Sequence, residues 1–529
     1  FTNSSIYGFY KYYKADDRQA YADVMANINK RFGDLSLSAN IGGSFTQTYY
    51  DERGFQGGLK DMSNVFSLYN MTTTLDKDTY PIESGYKQRT NSIFASAEIG
   101  WKSMLYMTLT GRNDWDSALI NTEQSSFFYP SIGLSGVISE MVKLPKAITY
   151  LKVRGSFASV GAPIPKNLSS NKTYEWDPAT SQWKLQTYRP LPKLYPERTN
   201  SWEAGLNAKF FNNSLSLEVT WYKANTRKQT FQVPLSGTAV YATMYAQSGN
   251  IENKGMEFSL GYNKSWGDFS WNSNLTFSFN KNKIVELLDD AVDDEGNHYS
   301  LSEIDKGGIG SAKVILRKGG SMGDMYVTNR LKRDNEGNVY IDKASQNVKK
   351  EDIKNSDEFI HIGSVLPKSN LGFRNDFSYK GISLGFMLAA RFGGIVISPT
   401  QAVMDQFGVS KVTALARDNE GVPVNNGKVD PQTYYTEVGG ISGLMSNYVY
   451  SATNVRLQEL SVGYSLPAKW FNNKCNLSLS ITGHNLWMIY NKAPFDPEAT
   501  ASTGTYYQGV DYFMQPSLRS WGFNVKIQF

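Results

Sequence analysis

The feature that most constrains this chain is a two-residue alternation of apolar and polar side chains, renewed in segments from one end of the sequence to the other. Leu35, Leu37, Ala39 and Ile41 alternate with Ser36, Ser38, Asn40 and Gly42. Ile93, Ala95, Ala97, Ile99 and Trp101 repeat the pattern, as do Leu215, Leu217, Val219 and Trp221 against Ser216, Glu218, Thr220 and Tyr222. Side chains on a strand point alternately to its two faces, so these are strands with one apolar and one polar side. Each segment runs for about ten residues, the length a tilted strand needs to cross a bilayer.

The connections carry a second regularity. Strand cores begin near Tyr21, Leu35, Arg89, Met104, Phe127, Thr149, Asn200, Leu215, Ile251, Phe269, Ser369, Ile382, Thr453, Asn476 and Leu518. Within successive pairs the links are tight: Gly33-Asp34, Lys102-Ser103, Asn212-Asn213-Ser214, Gly267-Asp268 and Lys380-Gly381. Gly and Asn accept the positive φ that such turns need. Between pairs the links are long: Tyr49 to Gln88, Gly161 to Thr199, Asn282 to Lys368 and Gly393 to Ala452. The segments after Glu140 and Pro467 are intermediate turns. Short turns at one end and long loops at the other are the asymmetry of an outer-membrane β-barrel, its turns periplasmic and its loops extracellular. A soluble sandwich or propeller also alternates but has less reason to confine long insertions to one end.

Composition narrows the classes. Lys plus Arg is 54 and Asp plus Glu 49 in 529 residues, a net charge of +5 that supports no nucleic-acid scaffold. The lone cysteine, Cys475, excludes an intrachain disulfide framework and a cysteine metal cluster. His298, His361 and His484 lack ligand spacing, so no metal, cofactor or catalytic residue is expected. Asp293-Asp294-Glu295-Gly296, Asp334-Asn335-Glu336-Gly337 and Asp418-Asn419-Glu420-Gly421 read as exposed hairpin tips rather than calcium loops. No segment reads as a transmembrane helix. In the best candidate, Gly381 to Ser398, Ile382, Leu384, Phe386, Leu388 and Ala390 alternate, and Arg391 interrupts an apolar face. The chain opens on Phe1 with no signal peptide, and reads as an internal or processed piece.

The last strand, Trp521, Phe523, Val525, Ile527 and Phe529 against Gly522, Asn524, Lys526 and Gln528, joins an apolar face to a terminal aromatic. Trp521, Phe523 and Phe529 thus form a candidate signal for the barrel-assembly machinery. Fifteen strand cores follow, or sixteen if Ile6 to Tyr13 is a strand of its own.

Motifs add a family resemblance. Gly111-Arg112-Asn113-Asp114-Trp115 with Phe128-Tyr129-Pro130-Ser131 resembles the "GRNDW … YPS" strands of the SusC/RagA class of TonB-dependent outer-membrane transporters. Leu151-Lys152-Val153-Arg154-Gly155-Ser156-Phe157 and Pro196-Glu197-Arg198-Thr199-Asn200-Ser201-Trp202-Glu203 resemble its "LKLRxSY" and "PExTxSWE". Asn250-Ile251-Glu252-Asn253-Lys254-Gly255-Met256-Glu257 resembles "ENKGxE". Asn454-Val455-Arg456-Leu457 with Gly463-Tyr464-Ser465-Leu466-Pro467, and Asn485-Leu486 with Phe495-Asp496-Pro497-Glu498, resemble its last pairs. Their shared order over nearly the whole chain makes the resemblance specific.

The resemblance implies a 22-stranded barrel in the outer membrane of a Gram-negative bacterium. Residues 1–529 would be its C-terminal part, lacking the N-terminal plug and first strands. It further implies coupling to TonB through that plug, a SusD-like surface lipoprotein as lid, and oligosaccharide or peptide as cargo. Loop aromatics are the candidate cargo contacts: Tyr174, Trp176, Trp183 and Tyr188 in one loop, Tyr506, Tyr507 and Tyr512 in the last. Trp101, Trp221 and Trp521 are candidates for the aromatic girdle in the lipid headgroups. A passive porin-like or adhesive barrel is the alternative, followed by a soluble β-rich binding protein; an enzyme ranks last.

Overall fold

The computed structural model describes residues 5–72, 79–120, 122, 124–164, 168, 174–177, 182–185, 188–189, 195–234, 243–292, 298–472, 474–502 and 508–529. One antiparallel sheet dominates it. In chain order its strands are β1 (Phe9–Phe32), β2 (Leu35–Gly58), β3 (Tyr80–Trp101), β4 (Leu105–Asp116), β5 (Ser126–Val137), β6 (Ile148–Ala162), β7 (Glu197–Phe210), β8 (Leu215–Pro234), β9 (Thr243–Trp266), β10 (Phe269–Glu286), β11 (Ser369–Tyr379), β12 (Ile382–Phe392), β13 (Asn454–Ser465), β14 (Asn476–Asn491) and β15 (Ser520–Gln528). Each pairs with its successor, so order in the sheet is order in the chain. A two-residue strand, Tyr188–Arg189, lies beside β9. Among the described residues β1 and β15 are each paired on one side only.

Every strand core read from the sequence falls in one of these strands. The exception is Ile6 to Tyr13, which is no separate strand: β1 runs unbroken from Phe9 through Tyr21 to Phe32. Nothing between Tyr13 and Tyr21 supplies a turn. Several strands also run past their predicted ends. β1 and β2 have 24 residues each, about 80 Å of extended chain. A bilayer crossing uses less than half of that, so the remainder stands clear of the membrane on the long-loop side.

Register sorts the two faces. Ala208, Leu217, Leu260, Leu275, Phe373 and Leu388 are consecutive lateral partners, forming one apolar row across six strands. One residue along, Asn207, Glu218, Ser259 and Thr276 form a polar row. A slip of one residue would exchange the two, so the apolar pattern fixes the register. The apolar face is the lipid face and the polar face the inner wall. Trp101, Trp221 and Trp521 lie on the lipid face and are exposed. Arg391 corrects the expectation: its lateral partners are Asn370 and Asn454, on the inner wall, and it donates to the Val365 carbonyl at 3.2 Å. It therefore does not interrupt the apolar face, which passes through Ala390.

Short turns lie together at one end, with Gly33 (φ 59°) and Gly267 (φ 57°) in the left-handed region. Long connections lie at the other end, and there the largest apolar core forms. The described residues of the 287–368, 393–453 and 492–519 connections pack into one cap on the strand tips. Leu287, Leu316, Met325, Val365, Ile397, Met445 and Val510 are buried in it with Ile251 and Ile284 of the strands beneath. A four-stranded sheet, Glu303–Ile309, Ala312–Arg317, Asp324–Val327 and Ile360–Ser364, supplies part of this core. The 393–453 connection carries three eight-residue helices: Pro399–Gln406, Lys411–Asp418 and Pro431–Val438. Ser398, Ser410 and Asp430 cap them by accepting backbone N–H bonds.

The inner wall and the loop cap as candidate functional site

The inner wall is crossed by three arginine-centred clusters. In β4, Arg112 and Asp114 are two residues apart and therefore share a face; the guanidinium donates to Asp114 at 2.7 Å and to Ser92 of β3 at 2.7 Å. The Tyr129 hydroxyl of β5 donates to the same carboxylate. In β6, Arg154 donates to Glu218 (2.9 Å) and Thr220 (2.7 Å) of β8 and to Asn207 (3.1 Å) of β7. In β11, Arg374 holds Asp376 at 2.9 Å and Glu459 of β13 at 3.3 Å. The planar fork of arginine lets one residue tie two or three strands. A recess of about 580 Å³ opens on this wall, bordered by Arg154, Glu203, Glu218, Tyr222, Glu257 and Ser278. Such a surface offers directed donors and acceptors to a hydrated solute.

Where β13 enters the cap, Arg456 is 6 % exposed and Asp496, in the last long connection, 11 %. They pair at 2.9 Å, and Glu498 lies 3.3 Å from the same guanidinium. Register shifts on both sides of Arg456 aim it into the cap. Burial pushes the Asp496 carboxyl up, but bonds from Ser517, the Glu498 backbone and Arg456 outweigh it and hold the group below the usual carboxylate range. Deeper in the cap, Ser398 donates to Asp511 at 2.6 Å and joins two loops. Burial, with Asp405 and Asp511 nearby, pushes the Tyr450 phenol up to about 12.

Of the aromatics read as cargo contacts, Tyr174 and Trp176 lie in strand Tyr174–Asp177, which pairs with Gln182–Leu185 and makes Trp176 and Trp183 backbone partners. Trp183 is exposed. Tyr188 pairs by its backbone with Thr243. Tyr512 is exposed and edges onto Phe513 at 5.2 Å. Tyr506 and Tyr507 lie outside the described residues. Trp521 and Phe523 lie on the lipid face of β15, laterally opposite Gly483 and Ile481, and Phe529 is fully exposed.

The aspartate-rich tips divide. Asp334 accepts from the N–H of Glu336 and Asn338 and closes a turn, with Gly337 at φ 86°. Asp418 instead ends a helix, and the hairpin begins only at Val422. Asp293 to Gly296 lie outside the described residues.

The arginine clusters were not singled out from the sequence, although Arg112, Arg154 and Arg456 stand inside the quoted motifs. The available signal was opposite charge two residues apart on a polar face, as in Arg112/Asp114 and Arg374/Asp376.

An up-and-down antiparallel wall, apolar outside and charged inside, with loops packed at one end, defines a transmembrane β-barrel wall of the outer membrane. The sequence matches the family described as "TonB dependent receptor-like, beta-barrel" over residues 1–314, and the chain belongs to that family. TonB-dependent receptor P3 of Formosa agariphila is 26% identical over 95% of this chain and 51% of its own length. TonB-dependent receptor SusC of Bacteroides thetaiotaomicron is 22% identical over 84% of this chain and 44% of its own. The solved structure of the RagAB peptide importer in the "open-open" state superposes with a TM-score of 0.73 at 18% identity, over 97% of this chain and 54% of that one. The chain spans about half the length of the curated relatives it matches.

Proposed function

We propose that this chain is the larger part of the barrel wall of a TonB-dependent nutrient importer that works with a SusD-like surface lipoprotein. The observation that carries the reading is the polarity of the wall. Its inner face is polar and carries paired charges, while the described parts of three long connections pack into one cap at a single end. A conduit for hydrated solutes needs the first, and a surface that receives cargo from a lid needs the second. The cargo is oligosaccharide or peptide, held by hydrogen bonds from the wall and by aromatic faces of the loops: Tyr174, Trp176, Trp183, Tyr188, Tyr506, Tyr507 and Tyr512.

In this reading a plug and further strands precede the stretch described here. Those strands pair with the free edges of β1 and β15, since an unpaired edge is prone to aberrant association. The plug carries the TonB contact. The protein supplies passage and no catalytic step. The test is purification of the full-length protein from native outer membrane in detergent, followed by mass spectrometry of what accompanies it. A stoichiometric surface lipoprotein with bound oligosaccharide or peptide is the expected result. A barrel that purifies alone, with its lumen open to ions in planar bilayers, would overturn the reading.

A further inference from the structure

On the lipid face of β8, β9 and β10 three lysines stand side by side. Lys223 is the lateral partner of Lys254, and Lys254 of Lys281. The row spans two strand spacings, about 10 Å. One position higher, Lys283 pairs laterally with Glu252, and Arg227 lies above on β8. Like charges placed directly opposite on neighbouring strands repel, so such a row requires an anionic counterpart. The protein supplies only part of one. Glu252 bridges Lys223 at 3.0 Å and Lys254 at 3.4 Å, and Glu286 sits at the upper edge beside Asn250. Among the described residues no carboxylate lies within ion-pairing distance of Lys281 or Lys283, and both are exposed.

Height on the wall says what the counterpart is. Immediately below the lysines, toward the short turns, the same face carries Trp221, Met256 and Phe279 as one lateral row, with Phe277 beneath, all exposed. Trp202, also exposed, is the lateral partner of Lys223 itself. An exposed apolar and aromatic row on this face marks the upper limit of the hydrocarbon. The lysines therefore stand at headgroup level of the outer leaflet, where basic side chains meet lipid phosphate.

We propose that Lys223, Lys254, Lys281 and Lys283 form a binding site for the phosphate-bearing headgroup of outer-leaflet lipid. The acyl chains lie on the Met256–Phe279 surface below. Glu252 partly neutralises Lys223 and Lys254 by bridging them, and leaves Lys281 and Lys283 to the phosphate. The site does not depend on which cargo the barrel passes.

The test is native mass spectrometry of the full-length protein in detergent, titrated with purified lipopolysaccharide and, separately, with the same lipid after enzymatic dephosphorylation. The expected result is retained binding of the phosphorylated lipid by the wild type and weak binding of the dephosphorylated one. The quadruple variant K223Q/K254Q/K281Q/K283Q should bind the phosphorylated lipid on the order of 100-fold more weakly, since each basic residue at an anionic surface contributes several-fold. The matching arginine variant should keep binding, which separates lost charge from lost folding. Equal binding of the two lipids by the wild type, or undiminished binding by the glutamine variant, would overturn the proposal.

Discussion

Arg456 and Asp496 join the barrel wall to the last long connection through a 2.9 Å ion pair that is almost wholly removed from solvent. The two residues come from motifs 40 positions apart. The neighbouring Asn454 side chain donates to Glu498 at 3.0 Å, so both halves of the sequence pattern meet in one cluster. A buried pair is costly to break from one side because the remaining charge is stranded. Arg456→Ala should weaken docking of residues 492–502 by about 3 kcal/mol. Hydrogen exchange should show that segment deprotected while β13 stays protected.

The same cluster sets a pH response. The Asp496 carboxyl is held below its ordinary value when the loop is docked. A depressed folded-state value gives stability that is fully present above the undocked value, about 3.9, and lost as pH falls through the docked value. Limited proteolysis of the 492–502 segment should therefore be unchanged from pH 7 to pH 5 and should rise only below about pH 4. Asp496→Asn should remove this acid dependence.

Substitution in the cap core should separate cap from barrel. Leu316 and Met445 are fully buried among residues of two different long connections. Leu316→Ala should cost about 2–5 kcal/mol of cap stability. The variant barrel should still migrate as a folded species in unheated gels, while protease cleaves the 287–368 and 393–453 connections.

Gly255 tests strand pairing. A Cβ there would press on the Phe279 carbonyl of β10 and lie 2.7 Å from the Tyr222 hydroxyl of β8. Gly255→Ala should cost about 1–3 kcal/mol through overpacking at this three-strand contact. The measurement is the level of assembled protein in the outer membrane, which should fall relative to Gly261→Ala. At Gly261 the nearest atom is the movable Ser216 hydroxyl.

Phe529 tests the assembly signal. It directly follows a strand whose apolar face carries Trp521 and Phe523, and is itself fully exposed. Deleting it should lower the outer-membrane level several-fold and leave transcript level unchanged. Equal levels would remove Phe529 from the signal.

Much of the sheet was legible because one alternation governs both faces. The lipid face rejects polar side chains and the wall accepts them, so Leu215–Trp221 or Ile382–Ala390 announces strand, register and orientation together. Turns were legible where Gly or Asn had to adopt positive φ, as at Gly33 and Gly267. Strand ends were not. Beyond the bilayer both faces meet water, so β1 and β2 continue through Tyr12–Asp17 and Asp51–Gly57 without an apolar stripe. The cap was hidden for another reason: Leu316, Met445 and Val510 lie on separate connections, and only packing brings them together. Arg456 and Asp496 were visible as motif residues, but nothing in either motif announces their contact.

The central claim is energised import through this wall. The most direct measurement is uptake of labelled oligosaccharides and labelled peptides into the periplasm of cells carrying the full-length protein, with and without an uncoupler that collapses the proton-motive force. Accumulation of one of these cargo classes that stops on uncoupling is the predicted result. Uptake that persists unchanged without the proton-motive force would contradict the account and make the barrel a passive pore.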